Sequence, residues 1–101
     1  MALFGDSEKI SVVAQIRAKS GHEDKVRSAL SSLVGPSRKE PGCLRYDVFE
    51  DKYYPGSFFT YEEWEKEEYL EKHLEINKAG LSDVKALLRE DLRISVMKQV
   101  A

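Results

Sequence analysis

Two hydrophobic periods alternate along this chain, and their order leaves few folds open. From Ile10 to Lys19 the residues Ile10, Val12, Ala14, Ile16 and Ala18 alternate with Ser11, Val13, Gln15 and Arg17, the period of a half-buried strand. After Gly21 the period changes: Val26, Ala29, Leu30, Leu33 and Val34 recur at i, i+3, i+4, i+7 and i+8, a single apolar stripe on a helix. Gly35 and Pro36 end that clean pattern, with a short turn through Arg38 and Lys39 following. Pro41 and Gly42 turn the chain into a second strand, Cys43 to Glu50, and Asp51 to Gly56 turn it again into a third, Ser57 to Trp64. The connection is short, so these two strands form an antiparallel hairpin. Helical spacing returns from Glu65 to Asn77, with Glu65, Glu67 and Glu68 where the positive helix N-terminus favours acids. Gly80 interrupts, a shorter helix runs from Ser82 to Glu90, and a last strand from Leu92 to Val100 alternates Leu92, Ile94, Val96 and Val100 against Arg93, Ser95 and Gln99.

The order β-α-β-β-α-(α)-β predicts an α+β protein with the ferredoxin-like βαββαβ pattern, a four-stranded antiparallel sheet carrying helices on one face. A chain of 101 residues has room for one core, so residues 1–101 are expected to be a single domain with residues 1–8 as a flexible N-terminus. The alternation is not clean, however. Val13, Phe49, Phe59, Tyr61 and Met97 fall outside the phase of the expected core and would place apolar area on the second face of the sheet. A patch of that kind on a small protein predicts a homodimer with the two sheets face to face.

Composition excludes some partners. The 16 basic and 18 acidic residues are scattered and net to −2, with no basic stripe, so no nucleic-acid partner is expected. No apolar stretch approaches the roughly 20 residues of a membrane span, so no membrane partner is expected either. Met1 to Ser7 lacks the charged start and apolar run of a signal peptide, and the one cysteine has no partner for an internal disulfide. A reduced, cytoplasmic protein follows as the expectation. No Gly-rich phosphate loop and no metal-ligand spacing of histidines and carboxylates is present, so neither a nucleotide cofactor nor a metal is expected.

His73 is the most informative titratable residue. On the second helix Tyr69, Leu70, His73, Leu74, Ile76 and Asn77 share one arc, and Glu67, Glu68, Glu71, Lys72 and Glu75 the other. The imidazole therefore points at the sheet, where it could accept a proton from a bound substrate or serve as a core residue hydrogen-bonded to a tyrosine or the backbone. Trp64 ends the aromatic strand in phase with Phe58, Thr60 and Glu62, a position that suits the wall of a pocket for a flat aromatic molecule and equally suits the core. Glu62 on that face is either a buried partner of a basic group or a sheet-end residue reaching solvent. Cys43 is expected to pack as a small apolar residue, with Arg45 a weak candidate for stabilising a thiolate, and His22 is expected to be exposed at a helix start.

The stretch Arg38-Lys39-Glu40-Pro41-Gly42-Cys43-Leu44-Arg45-Tyr46 resembles the R-x-E-P-G-C-x-x-Y signature of the antibiotic biosynthesis monooxygenase family. Phe59, Tyr61, Glu62 and Trp64 are similar to that family's aromatic strand ending in E-x-W, and His73 stands in the helix where the family usually has a histidine. The resemblance runs from Ile10 to Val100. It implies a dimeric α+β barrel with a pocket between sheet and helices in each protomer. It also implies a cofactor-independent monooxygenase of a small aromatic or quinol-type substrate, with dioxygen as co-substrate and neither flavin nor metal. In that setting His73 is the catalytic base or an orienting partner and Trp64 a pocket wall; Tyr69, Glu62 and Asn77 are expected to bind substrate alongside Trp64. Two departures stand out. Many members carry a second histidine where this chain has Lys78, and haem-degrading relatives use an asparagine on the first strand where this chain offers Gln15. A non-catalytic binding module for a small hydrophobic metabolite is the alternative, with haem degradation or processing of a signalling metabolite behind it.

Overall fold

The segments of period two become strands because one face of each can be buried while the other stays open. The computed structural model describes residues 8–101, so the expectation of a flexible N-terminus falls, but for Glu8, outside the described residues. The elements are β1 (Ile10–Arg17), α1 (Glu23–Arg38), β2 (Cys43–Glu50), β3 (Ser57–Trp64), α2 (Glu67–Ile76), α3 (Lys78–Lys85) and β4 (Arg93–Met97). The strands form one antiparallel sheet in the order β2-β3-β1-β4, the ferredoxin-like α+β arrangement. Among the described residues no helix is long and apolar enough to cross a membrane.

Register fixes what lies under the helices. Ile10, Val12, Ala14 and Ile16 on β1 pair with Trp64, Glu62, Thr60 and Phe58 on β3, and all eight are buried on the helix side. Across β2 the same face receives Tyr46 opposite Glu62 and Val48 opposite Thr60. Two apolar clusters result. One gathers Ile16, Val26, Leu30, Phe58 and Val84, and the other gathers Ile10, Val12, Tyr46, Trp64 and Leu70. The intervening positions Val13, Phe59, Tyr61, Phe49 and Met97 occupy the opposite face of the sheet, where no element among the described residues covers them.

Several boundaries differ from the sequence expectation: α3 ends at Lys85 rather than Glu90, β4 spans Arg93–Met97 rather than Leu92 to Val100, and three others have a local reason. Helix α1 continues through Gly35 and Pro36 to Arg38. Proline there forfeits one hydrogen bond in the last turn, while the turn it would have broken buries Ser37 and lets Arg38 bind the Tyr46 carbonyl at 3.0 Å and Asp47 at 2.8 Å. Helix α2 starts at Glu67, because the Glu65 amide donates to the Gly42 carbonyl at 2.8 Å and Lys66 remains extended. Helix α3 starts directly after Asn77 and contains the exposed Gly80, while Leu88 leaves helical geometry to bridge with Ala18.

Candidate active site

Strand parity carries Thr60, Glu62 and Trp64 inward together, and side chains two apart on one strand lie within bonding reach. Glu62, 4% exposed, accepts one hydrogen bond on each oxygen: from Trp64 Nε1 at 2.9 Å and from the Thr60 hydroxyl at 2.7 Å. Thr60 Oγ1 in turn accepts from the Ala14 amide at 3.3 Å. Tyr46 stands opposite on β2, and its burial, reinforced by the nearby Glu62 carboxyl, raises the phenol pKa well above the usual tyrosine value.

Helix α2 lays His73 over these residues. Its ring is 3% exposed, with its centroid 4.9 Å from that of Trp64 and 5.3 Å from that of Tyr46. Nδ1 lies 2.7 Å from Glu40 Oε1. Asn77 Nδ2 donates to Glu40 Oε2 at 3.1 Å and to the His73 carbonyl at 2.8 Å. Asn77 Nδ2 is also 3.2 Å from His73 Nδ1, but the shorter approach to a carboxylate assigns the proton to Nδ1. In its neutral form such a ring offers Nε2 as its acceptor, and among the described residues Nε2 has no hydrogen-bond partner.

Glu40 reaches this position because the chain turns immediately after it. Gly42 adopts φ +77°, and a Cβ there would overlap the Tyr69 ring, so glycine lets α2 pack directly onto the turn that carries Glu40.

A cavity of about 40 Å³ opens beside His73. Tyr46, Thr60, Glu62 and His73 supply its polar lining, and residues such as Val12, Leu30, Leu81, Val84, Leu92 and Ile94 its apolar walls. Ile94 is 42% exposed and marks the mouth. Of the five expected site residues, His73 and Glu62 line the cavity. The other three take different places. Trp64 is wholly buried behind His73 and Glu62, Tyr69 covers Gly42, and Asn77 holds Glu40.

Glu40 and Tyr46 escaped the sequence reading of roles. Both lie in the Arg38 to Tyr46 stretch, and an acid directly before Pro41 and Gly42 was the available signal. Three further placements bear on the chemistry. Gln15 faces away from the cavity, opposite Phe59, so β1 offers no inward amide. Lys78 is exposed on α3 and absent from the lining, so it removes no group from this cavity. His22 is half-buried instead of exposed, its Nδ1 shielded from solvent without a partner among the described residues. Burial, with the Glu40 and Glu62 carboxylates, pushes the Cys43 thiol pKa up, which disfavours a nucleophilic thiolate. Among the described residues no three His, Cys, Asp or Glu side chains gather as a metal site.

Residues 9–77 match the sequence profile of the antibiotic biosynthesis monooxygenase family. A solved antibiotic biosynthesis monooxygenase is 33% identical, with 91% of this chain and 99% of that one aligned at a TM-score of 0.84. A protein of Pseudomonas aeruginosa is 31% identical over 95% of this chain and 98% of its own, with a TM-score of 0.82. An uncharacterized Synechocystis protein is 30% identical over 70% of this chain and 48% of its own length, so the chain spans about half of that relative.

Proposed function

The chain belongs to the antibiotic biosynthesis monooxygenase family, and we propose that it is a cofactor-independent monooxygenase of a small aromatic substrate of the quinol type. The observation that carries this reading is the 2.7 Å contact between Glu40 and His73 Nδ1, which leaves Nε2 as the acceptor on a buried ring at the cavity wall. His73 takes the proton of an aryl hydroxyl as general base, and Glu40 stabilises the imidazolium that forms. The resulting aryloxide is electron-rich and reduces dioxygen itself, so neither flavin nor metal enters. One oxygen atom ends on the ring and the other leaves as water, the substrate supplying the electrons. Trp64 backs the base as a rigid wall, and Asn77 and Tyr69 hold the Glu40 turn. We place the protein in the cytoplasm, where Cys43 stays a free thiol.

At about 40 Å³ the cavity holds roughly one water, whereas a benzene-sized guest needs about 150 Å³. Substrate entry therefore requires α3 at Leu81 to part from β4 at Ile94 and from Leu92 just before it. The test is oxygen uptake with a reduced naphthoquinol. Wild type consumes oxygen, and His73→Ala with an unchanged melting temperature does not. Equal uptake by both proteins would remove His73 from the reaction. A ligand that quenches Trp64 and is recovered unchanged in air would instead make the chain a binding module.

A further inference from the structure

Proton abstraction by His73 leaves one buried carboxyl group unused. Glu62 lines the same cavity, and among the described residues it has no ion-pair partner. Each of its oxygens accepts a single hydrogen bond, from Trp64 or Thr60. A carboxylate offers about four acceptor sites, so two remain. A donor on a ligand, taking the place of the one water the cavity has room for, would fill them.

The polar groups gather at one end. Tyr46 pairs directly with Glu62 across the sheet and its ring approaches His73, while the Trp64 indole joins the two, binding Glu62 through Nε1 and stacking obliquely on His73. Among the described residues no lysine or arginine lines the cavity. One end of an otherwise apolar space thus holds the Glu62 carboxyl and the His73 ring beside the Tyr46 and Thr60 hydroxyls and, among the described residues, no cation.

We propose that Glu62 determines the specificity of this cavity. It accepts a hydrogen bond from a second hydroxyl on an aromatic substrate whose first hydroxyl faces His73, and it repels ligands that would place a carboxylate or phosphate there. This inference rests on His73 acting on an aryl hydroxyl. No proton or electron passes through Glu62, which holds the substrate and orients it.

The test is an anaerobic titration of Trp64 emission, since without dioxygen binding is read apart from turnover. The ligands are 1-naphthol, 1-naphthoate, and the tighter-binding of 1,2- and 1,4-dihydroxynaphthalene. In wild type the diol should bind about tenfold tighter than 1-naphthol, the size of one hydrogen bond to a charged acceptor, and 1-naphthoate about tenfold weaker. In Glu62→Gln, which keeps an acceptor for Trp64 Nε1, both ratios should fall to about twofold while the 1-naphthol affinity holds. A purely structural role for Glu62 would shift all three ligands together. Absence of the diol preference in wild type, or its survival in the variant, overturns the assignment of Glu62, while the His73 reading is still judged separately by oxygen uptake. Failure of all three ligands to bind wild type overturns both.

Discussion

An imidazole works as a base only when its other nitrogen is held in the protonated form, and Glu40 provides that hold through Nδ1. Glu40→Ala should therefore lower kcat for oxygen uptake by about 100-fold with little change in KM, since the carboxylate is set behind the ring. Glu40→Asp should recover part of the loss, and nitrogen NMR of His73 should show the Nδ1 proton in wild type and a mixture of tautomers in Glu40→Ala. An unchanged tautomer with unchanged kcat would reduce Glu40 to packing. Gly42 sets the position of that carboxylate. Gly42→Ala combines a positive φ with a Cβ inside the Tyr69 ring, and a loss of about 3 kcal/mol in urea unfolding is expected. His73 was legible in the sequence because its arc on the helix is apolar. Glu40 was not, because its partner lies 33 residues away and no local period records that contact.

At the level of elements, legibility followed local against tertiary control. Strand β1 could be read residue by residue because burial alternates strictly along it. The end of α1 could not, because Pro36 argues locally for a stop while Ser37 is buried and Arg38 is tied to β2. The start of α3 at Lys78 was hidden likewise, because the penalty of about 1 kcal/mol for Gly80 argues locally against a helix that the burial of Val84 holds in place. The tie between α1 and the hairpin yields a pH prediction. Glu50 accepts from Arg27 Nε at 2.8 Å and from a second Arg27 nitrogen at 2.7 Å, and from the Gly56 amide at 3.0 Å. These contacts, Arg27 first, lower its pKa from 4.5 to about 2. A carboxylate with a depressed folded-state pKa contributes stability above its unfolded pKa and loses it as pH falls through the folded value. The melting-temperature gap between wild type and Glu50→Gln should thus be constant at neutral pH and shrink between about pH 4.5 and pH 2. A gap independent of pH across that range would show that the contacts are broken in solution.

Across the described residues, the four-stranded sheet presents two apolar faces and the described helices cover one of them. Phe59 and Tyr61 alternate along β3 with the buried Thr60 and Glu62, so the residues that point away from the site are fixed by the same strand that builds it. Phe49 at 50% exposure and Met97 at 38% extend the patch across β2 and β4. Charges collect at its edge. Arg45 lies 4.8 Å over the Tyr61 ring and pairs with Asp47, and Lys9 pairs with Glu63. An apolar centre with a charged rim fits a symmetric partner better than solvent, and two such sheets can pack about 10 Å apart. We therefore expect wild type to sediment at twice its monomer mass at micromolar concentration, with a melting temperature that rises with protein concentration. Phe59→Glu, which would bury two like charges at the centre of that contact, should sediment as a monomer whose melting temperature no longer depends on concentration. A wild type that stays monomeric would leave Phe49, Phe59 and Tyr61 as solvent-facing aromatics and would end the case for a homodimer.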